Sequence, residues 1–324
     1  MFLRKRACCV TLDGMRGGNY EFRRIRRRFR RPVVTGGGTV DAVDRIVIRA
    51  HHDGETGYGE VATWPGFPTE TVEAATEALR SAQGDLALLE SKAAARDLPA
   101  LAAALSSCRH WSEIATYGGA LDCAGLVTGG EDARAKAALG HRTLKLKIGP
   151  ADGPEAARAV LDVFTGTLRL DANGSLDLAA ARTWTEFVRS EPRVEFIEQP
   201  LPPGHAGYAS LGPEKVALDE SFSAPGGAEW PGPVVVKPSL AGDWDALRAW
   251  RAARQEPVIY SSCFETAVGR QGALWLASLD PGTPAIGFDT LGRFELDGRD
   301  RHESGPLARG LAGYDWERFW EELA

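Results

Sequence analysis

The chain has 324 residues, of which 44% are hydrophobic and 25% charged, and its formal net charge is -6. That length suits one large domain or two ordinary ones, with enough apolar residues for a substantial core. The acidic balance gives no general pull towards nucleic acid or an anionic membrane, and no apolar run reaches the roughly 20 residues that a membrane span needs. Arg4, Lys5 and Arg6 are not followed by an apolar stretch, so no secretory leader is expected at the start. The five cysteines (Cys8, Cys9, Cys108, Cys123 and Cys263) are odd in number and scattered, which fits reduced thiols in a cytoplasmic protein. The six histidines show no zinc-ligand spacing.

In chain order, residues 23–31 form a basic run, Arg-Arg-Ile-Arg-Arg-Arg-Phe-Arg-Arg, ended by Pro32. An arginine-rich edge strand with a solvated face is expected there, since edge charge discourages strand-to-strand association. Gly36-Gly37-Gly38 reads as a mobile loop. Residues 46–48 and the turn at 54–59 suggest a hairpin, and Pro65-Gly66-Phe67-Pro68 a further turn. Helical stretches follow at 69–89 and 98–105. Strands first and helices next imply a small α+β domain over residues 1–115.

From there short apolar strands alternate with amphipathic helices. Strands are expected at 115–117, 143–148, 168–170, 194–197, 216–218, 234–236, 257–260 and 285–287. Helices are expected at 131–139, 153–164, 178–189, 245–253 and 266–278. About eight such strands in residues 116–291 make a compact α/β barrel of the (β/α)8 type. An open doubly wound sheet lacks support, because no GxGxxG follows the first strand. The tail, 292–324, is expected to pack back on the first domain.

Residues 144–148 alternate apolar and basic, which puts Lys145 and Lys147 on one face of a strand and Leu144, Leu146 and Ile148 on the other. Two ammonium groups side by side lower each other's pKa, and a lysine that deprotonates near neutrality can act as a base. The plainer alternative is a surface strand in water. Further along, Asp171, Glu198, Asp219 and Lys237 each close one strand of the repeat. In a parallel barrel successive strand ends converge on one mouth. Three carboxylates meeting there need a cation, and oxygen-only ligation favours Mg2+, with Mn2+ as the alternative. Singly, Asp171 or Asp219 could cap a helix and Glu198 could pair with an arginine.

The segments Lys145-Leu146-Lys147, Leu170-Asp171-Ala172-Asn173, Phe196-Ile197-Glu198-Gln199-Pro200, Leu218-Asp219-Glu220-Ser221 and Val236-Lys237-Pro238 resemble the enolase superfamily, muconate-lactonizing subgroup. Three more stretches resemble the o-succinylbenzoate synthases. Gly59-Glu60-Val61 with Pro65-Gly66-Phe67 is similar to their capping domain. Residues 261–266 and 286–291 are similar to their seventh and eighth strand ends. Gln199 stands where a second Glu is common.

The resemblance implies a modified (β/α)8-type barrel, (β/α)7β, under an α+β capping domain. It implies a carbon-oxygen lyase (hydro-lyase) of menaquinone or phylloquinone biosynthesis. The reaction would be Mg-dependent syn dehydration of 2-succinyl-6-hydroxy-2,4-cyclohexadiene-1-carboxylate to 2-succinylbenzoate through a metal-stabilised enediolate. Asp171, Glu198 and Asp219 would hold the metal. Lys147 would be the base with Lys145 keeping its pKa low, and Lys237 would stay charged opposite. Ser262, Gly287 and Arg169 are candidate substrate contacts. Asn173, with Arg169, would support the site, and Glu220 would support Lys237. The loop 36–38 would close the mouth. An N-acylamino acid racemase or dipeptide epimerase would share the lysines and metal. The epimerases' Asp-x-Asp is absent here, since the eighth strand end reads Gly287-Phe288-Asp289-Thr290. A non-enzymatic RNA binder using residues 23–31 is the reading from another class. The expected partner is a small carboxylate, with no nucleic acid and no membrane. The oligomeric state is not legible.

Overall fold

A computed structural model describes residues 17–35 and 38–323. The expectations for the first ten residues, for Cys8 and Cys9, and for Gly36 and Gly37 fall outside the described residues.

Three antiparallel strands open the chain in the order β1 (Asn19–Thr35), β2 (Gly38–His52) and β3 (Glu55–Val61). Asp53 and Gly54, with φ of 51° and 83°, make the two-residue turn that matches the twist of β2 and β3. The basic run lies on edge strand β1, and strand periodicity divides it. Arg26, Arg28 and Arg30 are exposed, while Arg27 and Phe29 are buried. Arg27 donates to Asp297 (2.7 Å) and Asp300 (3.0 Å), with its guanidinium 3.7 Å over the Phe294 ring. Phe29 bridges to Phe294, so the chain's own tail covers part of this edge. The run is thus only half a solvated face.

The stretch expected as one helix at 69–89 is two. α1 (Val72–Ser81) is capped by Thr71 and α2 (Leu86–Arg96) by Asp85. Gln83 and Gly84, both at positive φ, turn the chain between them. α3 (Pro99–Arg109) starts on Pro99, and the Glu70 carboxylate accepts from its first amides, Ala100 (3.0 Å) and Leu101 (2.7 Å). The strand expected at 115–117 is instead the end of α4 (Trp111–Thr116). Trp111 and Ile114 bury one helical face there, and a three-residue apolar run cannot tell the two periods apart.

After β4 (Ala120–Asp122) the barrel follows as β5 (Gly125–Val127), α5 (Gly130–Ala138), β6 (Thr143–Lys147), α6 (Pro154–Leu161), β7 (Thr167–Asp171), α7 (Leu178–Ser190), β8 (Val194–Glu198), β9 (Val216–Ala217), β10 (Val234–Val236), α8 (Trp244–Ala252), β11 (Val258–Tyr260) and α9 (Ala267–Ser278). β5 to β9 form one parallel sheet and β10 pairs with β11. Parallel bridges Leu218↔Val234, Ser261↔Gly287 and Cys123↔Ile286 close the ring, with residues 286–287 as its eighth position among the described residues. After β8 and β9 only short 3-10 turns replace the helices. The lysine strand β6 behaves as its period dictates. Leu144 (0%), Leu146 (1%) and Ile148 (6%) are buried against the helices, and both lysines face the barrel interior. Phe196, Ala217, Val235 and Ile259 form a separate apolar cluster on the strands β8 to β11.

The tail contributes β12 (Leu307–Arg309), antiparallel to β4, and α10 (Trp316–Glu321). Tyr58 on β3 donates to Glu317 (2.6 Å), and Arg23 on β1 donates to the Trp320 carbonyl. Cys108, Cys123 and Cys263 are free and buried. Burial pushes the Cys108 thiol up to about 12 and the Cys123 thiol up to about 11, so neither is reactive near neutrality.

Two charged residues are fully buried at the joint between the N-terminal sheet and the barrel. Glu60 of β3 accepts from the amides of Thr266 (2.9 Å) and Gly269 (3.0 Å) at the start of α9, and Arg45 of β2 lies 3.6 Å from it. Arg45→Met leaves Glu60 buried without a counter-ion. Urea unfolding should show a loss of about 3–5 kcal/mol; a loss under about 1 kcal/mol would mean the pair does not hold the joint.

Candidate active site

The interior positions of β6 and the ends of β7 to β10 bring six predicted residues together. Lys145 Nζ lies 2.9 Å from Asp171 Oδ2 and 3.0 Å from Glu198 Oε1. Lys147 Nζ lies 2.6 Å from the same Asp171 oxygen and also donates to Asn173 Oδ1. Lys237 donates to Asp219. The lysines differ in access. The Lys147 side chain is 38% exposed, against 16% for Lys145 and 11% for Lys237. Lys147 is therefore the amine that reaches the open mouth, and Lys145 is enclosed beneath it.

The electrostatics correct one expectation. Burial works against the Lys145 ammonium, but Asp171, Glu198 and Asp219 outweigh it and hold its pKa above the ordinary range. Attraction to carboxylates, not repulsion between lysines, governs that residue. Burial also disfavours the Asp171 anion, yet Lys145 and Lys147 hold its pKa well below normal. Glu198 is pushed up to about 7 by burial and by the negative charges of Asp171 and Asp219. Asp219 is raised by burial against the pull of Lys237.

These values bear on the metal. Among the described residues no three acidic, histidine or cysteine side chains are gathered as ligands of one ion. The carboxylates are instead drawn to the lysine ammonium groups. Still, Glu198 feels both aspartates across a desolvated space, and Glu220 Oε2 is buried with no hydrogen-bond partner. Oxygen donors that repel one another in a buried space fit a hard divalent cation of the Mg2+ type.

The remaining predicted residues divide. Asn173 (φ 44°) bridges Lys147 to Glu220, donating to Glu220 Oε1 at 3.4 Å. Ser262 sits beside the mouth, but its hydroxyl donates to Glu265 (2.5 Å) and accepts from Thr290 (3.1 Å) and the Phe264 amide (3.0 Å). Its single proton is already used. Both backbone groups of Gly287 serve barrel closure, to Tyr260 O (2.8 Å) and from Ser262 N (3.1 Å). A Cβ there would meet Ser261 Oγ at 2.7 Å. Gly287→Ala should therefore cost about 1–3 kcal/mol of stability by overpacking; an unchanged denaturation midpoint would show that Ser261 simply moves aside. Arg169 is not brought to the lysines. It donates to Glu195 (2.7 Å) and the Ala285 carbonyl, lining a cavity of about 430 Å³ with Thr143 and Thr167, which begin β6 and β7. Charge pairing with Glu195 turns it towards the end of the barrel opposite the mouth. Gln199, in place of the common Glu, accepts from the amides of Asp219 (3.1 Å) and Ser221 (3.0 Å), a task a neutral amide performs.

Sequence reasoning assigned no role to Arg45, Trp64, Phe264 or Glu265. Arg45 looks like surface charge at a strand start, and no residue type announces the positive φ (65°) of Phe264.

Residues 130–229 match the family profile described as Enolase C-terminal domain-like. The o-succinylbenzoate synthase of Salmonella arizonae is 31% identical over 261 residues, covering 74% of this chain and 80% of that protein. The chain belongs to the o-succinylbenzoate synthase family of the enolase superfamily. The synthase of Thermosynechococcus vestitus is 29% identical over 332 residues, covering 94% of this chain and 99% of that one. Among solved structures, an o-succinylbenzoate synthase from Thermosynechococcus elongatus, complexed with Mg, superposes with a TM-score of 0.78 at 26% identity, over 94% of this chain and 99% of that one. A dipeptide epimerase from Methylococcus capsulatus superposes at 0.71 with 20% identity, over 91% and 97% of the two chains, which reports the shared fold alone. Family membership thus joins the mouth of three lysines and three carboxylates to a synthase lineage.

Proposed function

We propose that this chain dehydrates 2-succinyl-6-hydroxy-2,4-cyclohexadiene-1-carboxylate to 2-succinylbenzoate. One observation carries the choice of a synthase over an epimerase. Asp289, the acid at the eighth strand end, accepts from Lys136 and from the Leu126 amide (2.9 Å), tying residues 286–289 to β5. It is committed to barrel closure and leaves no acid there for a substrate ammonium.

Asp171, Glu198 and Asp219 would hold Mg2+, which when bound neutralises the substrate carboxylate and makes its neighbouring proton more acidic. Lys147, the exposed amine, removes that proton and returns it to the departing hydroxide on the same face, as a syn elimination requires. Asp171 and Asn173 orient its Nζ. Lys237, held by Asp219 on the opposite side, stays charged and stabilises the negative charge that develops beside the carboxylate. Aromatisation drives the step. Among the described residues no helix is long and apolar enough to cross a membrane, and we read the enzyme as cytoplasmic, acting on a free small-molecule carboxylate.

The test is direct. Purified protein with Mg2+ should convert the cyclohexadiene carboxylate to its aromatic product, read by ultraviolet absorbance; no turnover with Mg2+ or Mn2+ sinks the proposal.

A further inference from the structure

The wall facing Lys237 comes from the N-terminal unit. The turn after β3 is closed by Gly66 (φ 93°) and by the Phe67 amide donating to the Trp64 carbonyl (3.2 Å). It carries the Phe67 ring over Lys237, with Nζ 4.5 Å from the ring centroid. An ammonium over an aromatic face is attracted by the ring's quadrupole, and more strongly where water is excluded. The Lys237 side chain is only 11% exposed.

This turn is fastened to the barrel. Trp64 stacks on Phe264, centroids 4.8 Å apart and planes at 21°, and Phe29 meets Phe264 edge-on at 5.2 Å. Phe264 has φ 65°, a costly conformation for a bulky residue, which persists only where its surroundings impose it. Arg45 imposes it. This buried guanidinium donates to Thr63 O (2.9 Å) on the turn's side, and to Cys263 O (2.7 Å) and Phe264 O (3.2 Å) on the barrel's side. One side chain thus joins the residue before Trp64 to the strained loop after β11.

We propose that Phe67 is a positioning residue for Lys237: its ring face holds the ammonium over the mouth, and the Trp64–Phe264 stack, secured by Arg45, holds the ring. The inference rests on the reading of Lys237 as the fixed cation of the dehydration. Phe67 reaches the reaction only through that lysine.

The test compares Phe67→Leu, which keeps bulk without a π face, with Phe67→Trp, which keeps the face. In the Mg2+-loaded enzyme Phe67→Leu should lower kcat about tenfold, the size of one partly desolvated cation–π contact, with KM within about twofold. Phe67→Trp should recover most of that loss, and neither variant should shift the thermal midpoint enough to explain it. A second readout needs no turnover. In protein carrying 13C at the lysine ε-carbon, the Lys237 signal, assigned by its loss in Lys237→Arg, should be displaced by the ring current and relax in Phe67→Leu. Unchanged kcat in Phe67→Leu, a Trp variant as slow as the Leu variant, a change confined to KM, or an undisplaced Lys237 signal would each overturn the proposal. Failure of the wild type to dehydrate the substrate would instead strike the functional reading, and the NMR displacement would still report the contact.

Discussion

Chelation with EDTA is expected to abolish dehydration, and Mg2+ to restore it. The reason lies in charge. Asp171, Glu198 and Asp219 are buried together, and Glu198 is pushed up to about 7 by burial and by the two aspartates. A substrate carboxylate entering the mouth would add a further anion to a space where charges are weakly screened. The lysines cannot serve as the only counter-charges, because Lys147 must give up its proton to act. A divalent cation resolves both demands. Asp219→Asn removes one anionic donor, so calorimetric titration should show Mg2+ affinity reduced roughly tenfold or more, while circular dichroism reports an intact fold. Full turnover in a metal-free preparation would refute the metal assignment.

Lys147→Ala is expected to reduce dehydration by about a hundred- to ten-thousand-fold, the usual contribution of a general base. Access separates it from its neighbours, since Lys147 is 38% exposed while Lys145 lies enclosed between Asp171 and Glu198. Lys237→Arg should behave differently. A guanidinium keeps the positive charge but does not deprotonate usefully. Dehydration should therefore retain measurable activity in Lys237→Arg, reduced by the bulkier head, while any racemisation of an N-succinylamino acid should vanish because it needs a base on both faces. Steady-state assays of both variants on both substrates check this. A Lys147→Ala enzyme close to wild type in dehydration would transfer the role of base to Lys237.

The barrel was legible because its signal is periodic. Leu144, Leu146 and Ile148 alternate with Lys145 and Lys147, and that pattern admits one arrangement once the strand is covered by helices. Acids and lysines closing successive strands were legible for the same reason, since parallel strands deliver their ends to one mouth. Residues whose roles depend on partners distant in sequence were not. Arg169 has the same interior position on its strand as the lysines, but Glu195 claims its guanidinium. Ser262 looks available until Glu265, three residues on, accepts its one hydrogen bond. Arg45 alternates into the core with no acidic residue that the sequence marks as its partner; two of its acceptors, the Cys263 and Phe264 carbonyls, lie far along the chain on the barrel. The helix break at Gln83 and Gly84 is visible only through backbone angles that a glutamine rarely adopts. Local periodicity sets which way a side chain faces, and tertiary neighbours decide what it does there.

The chemistry assigned to this mouth is elimination of water from a cyclohexadiene carboxylate, not epimerisation of a dipeptide. One measurement addresses it most directly. The Mg2+-loaded wild-type enzyme is given the cyclohexadiene carboxylate and, separately, an L,L-dipeptide in D2O, and product formation is compared with α-proton exchange. With Asp289 held by Lys136 and the Leu126 amide, rapid formation of 2-succinylbenzoate and no exchange in the dipeptide are expected. Exchange in the dipeptide without dehydration of the cyclohexadiene would contradict that assignment.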